Sequence, residues 1–122
     1  MKREKCSKEG MAIRDTLDLV GGKWKLPILY TLITHGTMRF KELQREVDGI
    51  TARMLSKELK DLELNQMVSR EVYDTAPITV EYTITKHGTS LGPVVKALYD
   101  WGLKHRQQIF DLEEPQEKHT NH

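Results

Sequence analysis

The chain has 122 residues, 38% hydrophobic and 30% charged, with a formal net charge of +1 and a single cysteine. That length suits one domain that buries roughly two-thirds of its unfolded surface without a disulfide or a metal. A lone cysteine excludes an intrachain disulfide. No apolar run reaches the length of a membrane span, and the charged start MKREKCSKEG has no apolar core behind it to act as a signal peptide, so a cytoplasmic protein is expected.

The small net charge conceals an asymmetry. Residues 111–122 hold four acids against one lysine, so the first 110 residues carry a net +4. Three regions are expected: a flexible polar arm over 1–10, a folded domain over 11–110 and an acidic, disordered tail over 111–122.

The first element is expected as a helix over about 11–20. Ile13, Leu17 and Val20 form its apolar stripe, and Gly21-Gly22 ends it. A second helix covers about 24–34, with Trp24, Ile28 and Leu32 on a broad apolar face. Pro27 is tolerated there only in a first turn. His35-Gly36 stops it. Residues 37–39 can pair as a strand. Phe40, Leu43 and Val47 then mark a two-turn helix, and Asp48-Gly49 a turn.

Thr51 to Leu64 reads as an amphipathic helix with Thr51 as N-cap. Leu55, Leu59 and Leu62 share one stripe, while Arg53, Ser56, Lys57 and Lys60 lie on the other side. A short helix, a tight turn with glycine and a second amphipathic helix form a helix-turn-helix pattern. Two alternating runs follow, Val68 to Tyr73 and Thr79 to Ile84, joined by a short loop. A hairpin placed directly after a helix-turn-helix is a wing.

Thr85 to Gly88 is read as a turn. The last helix is expected over about 91–110, with Leu91, Val95, Leu98, Trp101 (or Gly102), His105 and Ile109 in a stripe near heptad spacing. That stripe exceeds what a small core can cover. The surplus is read as a homodimer interface shared with helix 11–20, against the plainer reading that it closes the monomer core. The fold class expected is α+β, a winged helix-turn-helix with N- and C-terminal dimerisation helices.

These segments together resemble the HxlR-type winged helix-turn-helix transcriptional regulators of bacteria, relatives of the MarR group. The resemblance covers about 11–110. It is carried by LDLVGGKWK at 17–25, RFKEL at 39–43, ITARMLSKELKDLE at 50–63, PITVEY at 77–82, TKHG at 85–88 and Trp101-Gly102. It implies a homodimer on a double-stranded DNA operator, with helix 51–64 in the major groove, hairpin 68–84 on the adjacent backbone or minor groove, and helices 11–20 and 91–110 dimerising. Many members place a Cys-Pro pair at the start of the first helix, and in some that cysteine senses oxidants or electrophiles. Counted back from Trp24, that place falls at about Met11-Ala12, with Cys6 five residues upstream, so the role does not transfer by position.

Thr51, Ala52, Arg53, Ser56, Lys57 and Lys60 are the first DNA-contact candidates. Arg53 near the helix start suits a guanine edge, and Lys57 and Lys60 suit phosphates. Arg39, Lys41, Arg45 and Arg70 are further phosphate candidates. The competing reading is a solvated face with i, i+4 pairs such as Lys57–Asp61, because Glu58, Asp61 and Glu63 balance the helix's formal charge. That balance also suits a winged-helix module that binds protein rather than DNA. Cys6, near Lys5 and Lys8, is a redox-sensing candidate, an intersubunit bridge or an inert thiol. The five histidines are scattered, so no metal is expected. Trp24 and Trp101 are placed in the core, with an effector pocket as the alternative; a small-molecule or redox effector stays open. No phosphate loop, metal-binding helix or nucleophile elbow is present, so neither enzyme activity nor a cofactor is expected.

Overall fold

The computed structural model describes residues 2–113, with side chains described for 8–111. These divide into two compact units that meet at Ser90 and Leu91. In the first unit, α1 (Lys2–Val20) and α2 (Lys25–His35) precede the two-residue strand β1 (Met38–Arg39). Helices α3 (Phe40–Glu46) and α4 (Ala52–Leu64), strands β2 (Val68–Tyr73) and β3 (Thr79–Ile84) and the short helix α5 (Lys86–Thr89) follow. The second unit holds α6 (Gly92–Glu113).

The core of the first unit is built by three helix stripes. Ile28, Leu29 and Leu32 of α2, Leu43 of α3 and Leu55, Leu59 and Leu62 of α4 are all essentially without solvent contact. The α4 stripe is the one its spacing requires. Val47, Ile50, Met67 and Val68 close the ends. The sheet has the order β1-β3-β2, both pairs antiparallel. Met38 faces Tyr82 and Val68 faces Ile84, so the inner root of the sheet covers the helices. Further out, Val72 and Tyr73 are exposed and the hairpin leaves the core behind. This is the expected α+β winged helix-turn-helix.

Local chemistry sets the junctions. Between α3 and α4 the Ile50 N–H donates to the Val47 carbonyl at 3.3 Å, and Gly49 has φ +85°. A β-turn with positive φ at its third residue is type II, which favours glycine there. Thr51 then caps α4: its Oγ1 accepts from the Met54 N–H at 3.1 Å. At the other end the Met67 N–H donates to Leu62 O and the Gln66 N–H to Glu63 O, with Gln66 at φ +63°. That is a Schellman closure in which Met67 and Leu62, both buried, make the accompanying apolar contact.

Three boundaries differ from the sequence reading. Helix α1 starts at Lys2 rather than at about residue 11, so the backbone of 2–10, read as a flexible arm ahead of that helix, is helical. Residues 2–9 are mostly Lys, Arg and Glu, good helix formers with no proline to stop them. Residues 85–88 are not a plain turn but the cap and body of α5. Helix α6 runs on to Glu113, into the stretch read as tail; the tail from residue 114 lies outside the described residues. Trp101, expected in the core, is 64% exposed and stacks on His105, with ring centroids 4.9 Å apart.

The Thr85–Gly88 segment joins the wing to the end of α4. Thr85 Oγ1 donates to the Gln66 and Met67 carbonyls at 2.7 and 3.0 Å and accepts from the Gly88 N–H at 2.9 Å. Its own N–H also donates to Met67 O. Gly88 lies directly against that carbonyl and against Ile84. One threonine and one glycine thus lock β3, α5 and the C-terminal end of α4 together.

Candidate nucleic-acid interface

Helix α4 buries Leu55, Leu59 and Leu62, so its opposite arc must face outward. At about 100° per residue, Arg53, Ser56, Lys57 and Lys60 fall within one arc of roughly 100°, opposite the leucines. All four are exposed, as are Thr51 and Ala52 at the helix start. None of Arg53, Lys57 and Lys60 forms an ion pair with another described residue. Four of the six first candidates therefore share one open face, and Thr51 and Ala52 are exposed at the helix start beside it.

Two of the three acids of the same helix go elsewhere. Glu58 and Asp61 lie on one flank, where Lys25 of α2 meets them: its Nζ is 2.6 Å from Glu58 Oε1 and 3.1 Å from Asp61 Oδ2. The Lys57–Asp61 pair of the competing reading does not form; Asp61 pairs with Lys25 instead. Burial pulls the Lys25 ammonium down, but hydrogen bonds to Glu58 and Asp61 and their charges outweigh it, leaving the pKa above the usual lysine value. A raised lysine contributes its stability fully below its unfolded value and loses it only as pH climbs through the folded one. The brace therefore persists through neutral pH.

The second candidates divide. Arg39, Lys41 and Arg45 line a groove of about 360 Å³ whose other wall is Pro77, Ile78 and Val80 at the outer, loop end of the wing. Glu42 Oε1 accepts from the Arg39 N–H at 2.9 Å and fixes the start of α3 there. Arg70 is not part of that group. It pairs in register with Tyr82, whereas Arg39 pairs with Glu81, and neighbouring rows of a sheet point to opposite faces. The Cys6 side chain lies outside the described ones.

Lys25 was the residue that sequence reasoning missed. The only signal was the i, i+3 spacing of Glu58 and Asp61, which asks for a cation on that flank without saying from where.

This geometry can be set beside known proteins. The model of the HxlR-like helix-turn-helix family matches residues 19–110. The chain belongs to the HxlR-like helix-turn-helix family. A curated relative, the uncharacterized HTH-type transcriptional regulator YdeP of Bacillus subtilis (strain 168), is 44% identical over 105 residues, which is 86% of this chain and 81% of YdeP. Among solved structures, the redox regulator HypR in its reduced form is similar with a TM-score of 0.76 and 40% identity, over 82% of this chain and 98% of that one. A MarR-family transcriptional regulator from Porphyromonas gingivalis W83 is similar with a TM-score of 0.71 and 31% identity, over 75% and 88%. The HxlR-like match spans the helix-turn-helix, the wing and most of α6, and its relatives are transcriptional regulators rather than enzymes. No helix among the described residues of this HxlR-like chain is long and apolar enough to cross a membrane.

Proposed function

We propose that this HxlR-like protein is a homodimeric, sequence-specific DNA-binding regulator. Helix α4 enters the major groove of an operator, and the β2–β3 wing lies on the adjacent backbone or minor groove. The observation that carries the reading is the arc of Arg53, Ser56, Lys57 and Lys60. It is fully open, unpaired and opposite the core, at the start of a helix capped by Thr51. Arg53 reads a base edge; Lys57 and Lys60 hold phosphates, and Thr51 and Ala52 bring the helix start close to the groove. Arg39, Lys41 and Arg45 extend the basic surface to the outer, loop end of the wing, and Arg70 contacts backbone from the wing's other face.

Homodimerisation is supported by apolar surface left open on each unit separately. On α1, Met11, Ile13 and Leu17 are more than half exposed. On α6, Leu98, Tyr99, Trp101 and Leu103 are too. Apolar surface of this extent, repeated at helical spacing, suits burial against a second copy. The likeness to HypR supports a redox effector for this family member; Cys6 is the residue that would serve it.

Salt dependence tests the DNA reading. Affinity for duplex DNA is expected to fall linearly with log salt, with a slope of about −0.9 for each phosphate neutralised. Six phosphate candidates, with Arg53 left to a base edge, therefore predict a slope between about −3 and −5 for each subunit bound. A flat response, or no binding at low salt, would favour a protein-binding module instead.

A further inference from the structure

Two of the three acids of α4, Glu58 and Asp61, are held to one flank of its outward arc, while Glu63 is exposed and forms no ion pair with another described residue. Counted alone, α4 balances three bases against three acids, which would leave a duplex little net attraction. Two of those acids, Glu58 and Asp61, share Lys25. Its side chain is only 12% exposed, and Glu58 is nearly as enclosed at 17%, while Asp61 remains half open at 52%. Of the two carboxylates that share Lys25, Asp61 is thus the one a duplex on the arc would meet, with the exposed Glu63 on the arc's other flank. Lys25 sits in the first turn of α2, on the flank of α4 that carries Glu58 and Asp61, and is too enclosed to reach a phosphate itself.

Resting on the DNA reading above, we propose that Lys25 is a positioning residue for DNA binding: it offsets the carboxylates of Glu58 and Asp61, so that the arc of Arg53, Lys57 and Lys60 presents net positive charge to the phosphates. The effect needs no base contact, so it acts on any duplex. It differs from a simple brace, which would hold α4 in place regardless of the sign of the flank. It differs also from direct contact, which would add a phosphate to the count.

The test is fluorescence anisotropy with a random-sequence duplex of about 30 base pairs, three helical turns. The variants are K25R, K25M and K25M/E58Q/D61N, each checked for folding by circular dichroism. K25M is expected to bind about tenfold more weakly at low salt, from two unmasked carboxylates near the interface. K25R keeps the charge and stays within about twofold of wild type. The triple variant has no carboxylates to mask and recovers to within about twofold, even though every ion pair of the brace is gone. It also carries the test if K25M itself unfolds.

Unchanged binding by K25M overturns the proposal while leaving the DNA reading intact. So does a triple variant that stays weak, which would make Lys25 a tether. A K25M salt slope lowered by about one unit overturns it too, by placing Lys25 on a phosphate. Failure of the wild type to bind the duplex at all removes the DNA reading and this proposal together.

Discussion

Gly88→Ala is expected to destabilise the protein by about 1–3 kcal/mol, toward the upper end of what overpacking costs. A Cβ at this position would press into the Met67 carbonyl oxygen and stand 2.7 Å from Ile84 Cγ1. The Ile84 side chain could turn away, but the carbonyl cannot. It already accepts from both the N–H and the Oγ1 of Thr85, and its own residue's N–H makes the Schellman closure of α4. Relief therefore requires α5 to move off β3, which breaks the Thr85 cap. Chemical denaturation of Gly88→Ala beside Gly10→Ala gives the contrast. Gly10 lies inside α1 with nothing within 4 Å of an added Cβ, so the same change there is expected to stabilise by about 0.5–1 kcal/mol. A Gly88→Ala midpoint equal to wild type would show that the contact is not as tight as described.

Arg53→Ala is expected to lose about 1–3 kcal/mol of operator affinity and to blur selectivity at one base pair. Arg53 is the basic residue nearest the N-terminus of α4, the end that recognition helices direct at base edges. Its guanidinium is exposed and has no ion-pair partner among the described residues, so truncation leaves no stranded charge and little effect on stability. Lys57→Ala, one turn further on, should weaken operator and random duplex alike and lower the salt slope by about one. Competition binding with an operator selected by the wild-type protein separates the two patterns. Equal losses on operator and random DNA for Arg53→Ala would demote it to a phosphate contact, and no loss would remove it from the interface.

The parts of the fold legible in the sequence are those written locally. Gly21-Gly22, Gly36 and Asp48-Gly49 ended helices where the chain needs positive φ or a turn. The alternation of 68–73 and 79–84 gave both wing strands with their observed bounds. The three leucines of α4 identified its buried side, and so also its open one. What stayed hidden depends on partners distant in the chain. Thr85 to Gly88 reads as a turn until the Met67 carbonyl supplies the acceptor that makes it a capped helix. The charge of α4 reads as balanced until Lys25, 33 residues before Glu58, is seen to take the acidic flank. Trp101 reads as core because a heptad stripe does not say whether it closes a monomer or awaits a second copy.

The central claim is that α4 reads the major groove as one of a symmetric pair. Selection of binders from a pool of randomised duplexes, followed by footprinting, addresses it directly. Enriched sites are expected to hold two inverted half-sites whose centres lie one helical turn apart, about 10–10.5 base pairs, or a whole multiple of that. Enrichment of a single unrepeated motif, or no enrichment over the starting pool, would contradict it.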